Sequence, residues 1–465
     1  MGSHQYDAIV IGSGQGGKPL STALARAGMR TALIERDHIG GTCVNTGCTP
    51  TKTMLASGRV AYLARRAADY GVRTGPISID LQKVRQRKRD IVDFFRSRSQ
   101  SGLESTANLH LIFGDARFSG PRSLGVSLKD GSQRSLSATN IFIDAGTRSA
   151  LPRLDGLQSV PFMDNASIME LDSVPEHLLI LGGGYIGLEF GHLFRRFGSQ
   201  VTIVHSRGQL LTREDPDVAD EIATIFRQDG ITLVLNARAS RVSRADGSIR
   251  LEVLQEDHST TLVGSHLLVA TGRVPNTDTL NLSEAGVQVN DRGFIQVNDR
   301  LETTAAGIYA LGDIKGGPAF THISYDDFRI IRANLLEKKP ASIANRLVPY
   351  VLFIDPQLGR VGMTETEARA QNRNIRVAKL PMSSVARALE VDETRGFMKA
   401  IVDRDSNLIL GAAILGIEGG EIMSALEIAI MGKLPYTSLR DGVFAHPTLS
   451  ESLNNLFMAM DNSGH

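Results

Sequence analysis

One glycine-punctuated unit occurs twice in this chain, in register, and that repeat constrains the fold more than any other feature. The first copy opens with Asp7-Ala8-Ile9-Val10-Ile11, which reads as a short buried strand, and runs into Gly12-Ser13-Gly14-Gln15-Gly16-Gly17. A helical stretch rich in Ala and Leu follows to Ala27, Gly28 ends it, and Thr31-Ala32-Leu33-Ile34 is a second strand closing at Glu35. At an offset of 170 residues, Leu178-Leu179-Ile180-Leu181 leads into Gly182-Gly183-Gly184-Tyr185-Ile186-Gly187. That helix ends near Gly198, and the strand Val201-Thr202-Ile203-Val204 stops at His205. Gly12, Gly14, Gly17, Gly28 and Glu35 therefore map onto Gly182, Gly184, Gly187, Gly198 and His205. A single GxGxxG is a weak signal; two with matching flanks are a repeat. Glycines at a sharp strand-to-helix turn leave backbone N–H groups and the positive helix end open to a pyrophosphate. The pattern predicts an α/β protein with two Rossmann-like dinucleotide-binding domains. The first comprises residues 1–150 and 276–345 and the second residues 151–275. Residues 346–465 alternate strand and helix patterns without a fingerprint and form a third, α+β domain.

The two copies differ where chemistry would notice. Glu35 is placed to bond ribose hydroxyls and would repel a 2′-phosphate. His205 stands in its place in the second copy, followed by Ser206 and Arg207, with Arg213 nearby. Loss of the acid and gain of cations is how a site accepts a 2′-phosphate, so the second copy is expected to take NADPH rather than NADH. Lys and Arg total 51 against 50 Asp and Glu, a net charge of +1. That balance argues against a nucleic-acid or polybasic membrane-surface binder. No apolar run approaches the ~20 residues of a membrane-spanning helix. The N-terminus enters the first strand with no basic region or cleavage site, so no signal peptide is expected and the chain is assigned to the cytoplasm. Gly2-Ser3-His4 has the composition of a cloning remnant. Residues 83–98 carry seven Lys and Arg on a predicted helix, read as a solvated face rather than a lure for acidic substrates.

Both cysteines of the chain lie in Gly40-Gly41-Thr42-Cys43-Val44-Asn45-Thr46-Gly47-Cys48-Thr49-Pro50-Thr51-Lys52. Two thiols at this spacing, just after a nucleotide unit, are poised for dithiol–disulfide cycling. A structural disulfide does not suit a reducing compartment, and two ligands with no neighbouring His or Cys do not complete a tetrahedral metal site. A leaving thiolate needs a proton, and a histidine titrating near neutrality is the natural donor. His446 is the candidate for that role, with Glu451 five residues later placed to orient the ring and stabilise its cation.

Taken together, GGTCVNTGCTPTK, both fingerprints, Ala270-Thr271-Gly272-Arg273-Val274-Pro275-Asn276, Gly307-Ile308-Tyr309-Ala310-Leu311-Gly312-Asp313 and His446-Pro447-Thr448-Leu449-Ser450-Glu451 resemble the pyridine nucleotide–disulfide oxidoreductases. This family includes glutathione reductase, lipoamide dehydrogenase and mercuric reductase, and the resemblance covers essentially the whole chain. It implies FAD in the first unit, a nicotinamide in the second, and a homodimer joined by the C-terminal domain. Gly12, Gly14, Gly17, Glu35, Thr42, Lys52, Gly114, Gly146, Asp313 and Thr321 would then contact FAD. Gly182, Gly184, Tyr185, Gly187, Glu189, His205, Arg207, Arg213 and Gly272 would contact NADPH. The resemblance makes Cys48 the charge-transfer sulfur against the flavin and Cys43 the interchange thiol. It pairs Lys52 with Glu189, makes Tyr185 the ring that covers the flavin until the nicotinamide enters, and brings His446 to the other subunit's cysteines.

The acceptor is less constrained. Arg213-Glu214-Asp215-Pro216, Val385-Ala386-Arg387-Ala388-Leu389 and Thr394-Arg395-Gly396-Phe397 resemble mercuric reductase, as does Phe320-Thr321-His322-Ile323-Ser324-Tyr325-Asp326-Asp327. That enzyme uses an extra C-terminal cysteine pair in place of the histidine, and no cysteine follows Glu451 here. The expectation is an NADPH-dependent reductase of a small-molecule disulfide. The alternatives are a Hg(II), Cu(II) or quinone reductase, or an NAD-linked dihydrolipoamide dehydrogenase, the last disfavoured by His205.

Overall fold

The computed structural model describes residues 4–256 and 258–462. Gly2-Ser3 and residues 463–465, the end of the cysteine-free tail, lie outside the described residues. The chain forms two compact units, one of residues 1–54, 82–150 and 272–346, the other of residues 55–81, 151–271 and 347–465.

In the first unit the strand His4–Ile11 is flanked on both sides by parallel partners, Thr31–Glu35 and Gln133–Ile143, with Ile9 level with Ala32 and Ile141. The strand starts at His4, opposite Leu136. Leu109–Gly120 runs parallel to Thr31–Glu35 and then antiparallel to Ser123–Leu128, which returns to Gln133–Ile143. Ile308–Ala310 adds a further parallel strand beside Ile141–Ile143. A sheet buried on both faces needs apolar residues at successive positions. Accordingly Ile9 and Ile11 point into one core and Ala8 and Val10 into another. The helix Gly17–Arg26 buries Leu20, Leu24 and Ala25, and Gly28, at φ +87°, turns the chain toward the second strand.

The second unit holds a four-stranded parallel sheet of His266–Val269, His177–Leu181, Gln200–Val204 and Thr232–Val234, in that order. Its fingerprint helix, Tyr185–Phe197, is buried along most of its length. A three-stranded antiparallel sheet spans Ala237–Ala245, Ser248–Gln255 and His258–Gly264. The C-terminal segment folds a five-stranded antiparallel sheet in the order Tyr350–Leu352, Gln357–Gly362, Ile409–Gly416, Phe397–Asp403, Ile375–Pro381. Its core includes Met398, Ala400, Ile414, Leu426 and Phe457, the last two from the helices Gly419–Met431 and Ser452–Asn462.

Candidate active site

The first fingerprint closes around a residue that sequence reasoning passed over. Gly12 has φ +98°, and a Cβ there would overlap the backbone oxygen of Asp144. A Cβ on Gly14 would sit 2.6 Å from an Asp144 carboxylate oxygen, so only glycine permits this turn. The Gly17 N–H donates to Asp144 Oδ2 at 2.7 Å. Asp144 is buried, and burial, then the neighbouring carboxylates Asp313, Asp327 and Glu35, push its carboxyl well above the usual range against the pull of the Gly17 bond. An acid closing the apolar run Ile141-Phe142-Ile143 was the available signal. At the end of the second strand, Glu35 Oε2 accepts from the Ser13 N–H at 3.0 Å and the Ser13 hydroxyl at 2.7 Å. Asp313 lies on the short 3₁₀ turn Gly312–Lys315 and accepts from Thr147 at 3.0 Å. That turn is fixed by the fully buried Asp327, which accepts from the Gly312 N–H at 2.9 Å and pairs with Lys315 and Arg346. Gly114, on the strand Leu109–Gly120, allows close approach to Ser127, and Gly146, at φ +64°, accepts from the Asn276 N–H. A side-chain-free turn with a carboxylate at its edge fits a dinucleotide.

The second fingerprint repeats this construction. Gly182 has φ +119°, and a Cβ there would overlap the Ala270 backbone oxygen. Ala270 thus occupies the place of Asp144, without its charge. The Gly183 N–H donates to His205 Nδ1 at 3.2 Å, the counterpart of the Ser13–Glu35 bond. Burial, opposed by a backbone hydrogen bond at Gln209 and reinforced by Arg207, pushes the His205 imidazole down, so it enters the site neutral. The cationic contribution expected of this corner therefore falls to Arg207 and Arg213, both exposed. Arg213 lies within electrostatic reach of the Tyr185 phenol, which burial pushes up to about 12. Glu189, one turn further along the helix, accepts from the Phe353 N–H at 3.0 Å. Gly272, at φ +129°, belongs to the first unit, where it accepts from the Ala150 N–H.

The thiol pair spans two helices: Cys43 is on Gly41–Asn45, and Cys48 opens Cys48–Arg65. Cys48 Sγ meets the Thr321 hydroxyl at 3.3 Å. The hydrogen bond to Cys48, then burial, push the Cys43 thiol up, against the opposing pull of Thr321 and Lys52. Cys43 therefore keeps its proton in this arrangement. The helix Leu81–Glu104 carries the predicted basic run, yet that run is more than a solvated face. Lys88 is buried, Arg87 donates to the Thr53 carbonyl at 2.9 Å and Arg96 to Asn45 Oδ1 at 3.0 Å. These arginines fasten the segment between the two cysteines and the helix that Cys48 opens. Thr42, between Gly41 and Cys43, is exposed. In the second unit, His446 Nδ1 stands 2.9 Å from Glu451 Oε2 and 3.1 Å from Oε1, with the imidazole 68% exposed.

Residues 6–327 match the family model of pyridine nucleotide-disulphide oxidoreductases, and residues 348–457 match the dimerisation domain of the same family. The chain belongs to the pyridine nucleotide-disulphide oxidoreductases. It is 40% identical over 458 residues to the probable pyridine nucleotide-disulfide oxidoreductase RclA of Escherichia coli, covering 98% of this chain and 99% of that protein. It is 33% identical to a mercuric reductase of Bacillus cereus, over 99% of this chain and 72% of the relative. A solved Cu(II) complex of the HOCl-induced flavoprotein disulfide reductase RclA superposes with a TM-score of 0.90 at 39% identity, covering 98% and 99% of the two chains. The chain is thus a flavoprotein oxidoreductase of the disulfide reductase family, using FAD and a pyridine nucleotide and carrying the family's dimerisation domain. Among the described residues no helix is long and apolar enough to cross a membrane.

Proposed function

We propose that this chain is an NADPH-dependent reductase of a small-molecule disulfide, working in the cytoplasm as a homodimer in which His446 of the partner subunit serves the Cys43–Cys48 pair. The observation that carries the proposal is the His446–Glu451 contact at 2.9 Å. A carboxylate on Nδ1 fixes the proton there and leaves Nε2 as the nitrogen that takes and returns protons, which a thiol exchange needs and a metal reduction does not. The glycine turn at residues 12–17 would cradle the FAD pyrophosphate, and Glu35 and Asp313 would hold its hydroxyls. When bound, the nicotinamide and flavin supply the two electrons that open the Cys43–Cys48 disulfide. Those two electrons and one proton leave Cys43 as a thiol and Cys48 as a thiolate. His446 of the partner subunit takes the Cys43 proton, and the Cys43 thiolate attacks one substrate sulfur. The substrate S–S bond breaks, a mixed disulfide forms, and the imidazolium protonates the departing thiolate. The Cys48 thiolate then attacks the Cys43 sulfur, the second substrate thiolate leaves and takes a proton from water, and the Cys43–Cys48 disulfide is restored. Thr321 and Lys52 stabilise negative charge on the sulfurs during this exchange. Preference for NADPH is supported by the missing carboxylate at position 205 and the exposed Arg207 beside it.

A second reading, reduction of Cu(II) by the thiol pair, is favoured by one observation: a protein 39% identical to this chain has been solved as a Cu(II) complex. Both readings are tested by NADPH consumption on a panel of glutathione disulfide, lipoamide, other low-molecular-weight disulfides, Hg(II) and Cu(II). Fast turnover of one disulfide, lost in Cys43→Ser and His446→Ala, supports the first. Metal turnover that survives His446→Ala, with every disulfide slow, replaces it with the second.

A further inference from the structure

In the second unit the fingerprint tyrosine rests against a ring that is itself held by a buried ion pair. Tyr185 and Tyr350 meet edge to face, with centroids 5.7 Å apart and planes at 69°. The Tyr350 hydroxyl donates to Glu214 Oε1, and Glu214 Oε2 faces Arg360 Nε at 3.4 Å. Glu214 and Arg360 are only 5% and 2% exposed. Oε2 itself receives no hydrogen bond, so among the described residues Tyr350 is the one donor to this carboxylate. A buried carboxylate oxygen stripped of its only donor is costly, and this cost keeps the Tyr350 ring in place.

The far end of the chain of contacts is tied to the five-stranded sheet and the segment beside it. Arg360 donates to the carbonyls of Val361 and Ala412 at 3.0 and 2.8 Å, which ties it to two strands of the five-stranded sheet. Asp215, next to Glu214, accepts from the backbone N–H groups of Glu365 and Thr366 at 2.9 Å each and pairs with Lys399 at 3.1 Å. The near end grips the fingerprint helix twice, because Phe353, three residues after Tyr350, bonds Glu189. Tyr185 and Glu189 are four apart and share one helix face.

We infer that Tyr350, anchored by Glu214 and Arg360, is a positioning residue that holds the Tyr185 ring against displacement and so sets how readily the nicotinamide enters. The inference rests on the reading of Tyr185 as the ring that the nicotinamide must move. An edge-to-face pair is worth roughly a factor of two to ten in an equilibrium, and entry of the nicotinamide has to break it.

The test is a double-mutant cycle on the FAD-loaded dimer, with dissociation constants for NADP⁺ and NAD⁺ measured by calorimetry and flavin reduction followed by stopped flow. Tyr350→Leu removes the ring and is expected to tighten nucleotide binding about threefold to tenfold. Tyr350→Phe keeps the ring but frees it from Glu214, and is expected to shift binding the same way by a smaller factor. In a Tyr185→Gly background both effects should vanish, a coupling that general loosening of the fold would not produce. If Tyr185→Gly changes binding while neither Tyr350 variant does, the inference is overturned and the reading of Tyr185 stands. Effects of the Tyr350 variants that persist undiminished in Tyr185→Gly also overturn it. If Tyr185→Gly itself changes neither binding nor flavin reduction, the reading of Tyr185 fails and the inference falls with it.

Discussion

At position 205 a neutral imidazole accepts the fingerprint N–H that a carboxylate accepts at position 35. The same bond therefore closes two turns with opposite consequences for charge. A carboxylate facing a 2′-phosphate repels it, whereas a neutral ring beside Arg207 does not. His205→Glu is expected to lower kcat/KM for NADPH by about 100-fold while leaving that for NADH unchanged or higher, as steady-state kinetics with both nucleotides would show. His446 makes a separable prediction: His446→Ala should slow disulfide turnover by about 10²–10⁴-fold, the usual worth of a positioned acid–base group. Flavin reduction by NADPH should be unaffected, because that half-reaction precedes thiol exchange. Glu214 gives a prediction about stability. Burial, opposed chiefly by Arg360, pushes its carboxyl from 4.5 up to about 7. Below the lower value folded and unfolded chains both hold the proton; above it the unfolded chain ionises first. Stability from this group is thus complete at acid pH and lost as pH rises through about 7, a change on the order of 3 kcal/mol. Thermal melts of Glu214→Gln should show a flatter decline from pH 5 to 8 than the parent protein, and an equally steep decline would refute the assignment.

Among the elements, the fingerprint strands and helices were legible because their signals are local. Leu178–Leu181 must be apolar on both faces to lie inside a parallel sheet, and Gly12 and Gly182 must be glycine because Asp144 and Ala270, just past the ends of neighbouring strands, come too close for a Cβ. Long-range partnerships were not legible. Nothing near Asp144 in sequence announces that it will meet Gly17, 127 positions earlier. The basic helix Leu81–Glu104 shows the same limit, since charge patterning alone does not tell an arginine in water from one reaching a carbonyl. Arg96 bonds Asn45, whose own amide donates to the Gly41 carbonyl at 2.9 Å, so it clamps the short helix that bears Cys43. Arg96→Met should cost about 1–3 kcal/mol, the worth of a charged hydrogen bond, and slow disulfide turnover severalfold. Arg98→Met, on the exposed side of the same helix, should do neither. Denaturant melts and turnover of the two variants decide between a clamp and a solvated face.

For the whole molecule the question is where the proton donor comes from. His446 and Glu451 lie in the family's dimerisation domain, residues 348–457, whereas Cys43 and Cys48 lie in the first unit. Two-fold symmetry makes each interface contact occur twice, so a dimer whose histidines serve across the interface has two interleaved sites. Subunits bearing Cys43→Ser keep the histidine, and subunits bearing His446→Ala keep both thiols. Each homodimer is then inactive in disulfide reduction. In a hybrid dimer one site combines intact cysteines with an intact histidine, while the other has lost both. Dissociating and reassociating an equal mixture makes half of the dimers hybrids with one working site each, so about a quarter of the parent activity should return. If the histidine served its own subunit's cysteines, no hybrid would contain a complete site and the mixture would stay inactive. Disulfide turnover of the reassociated mixture, set against both unmixed homodimers, measures the sharing of the active site directly.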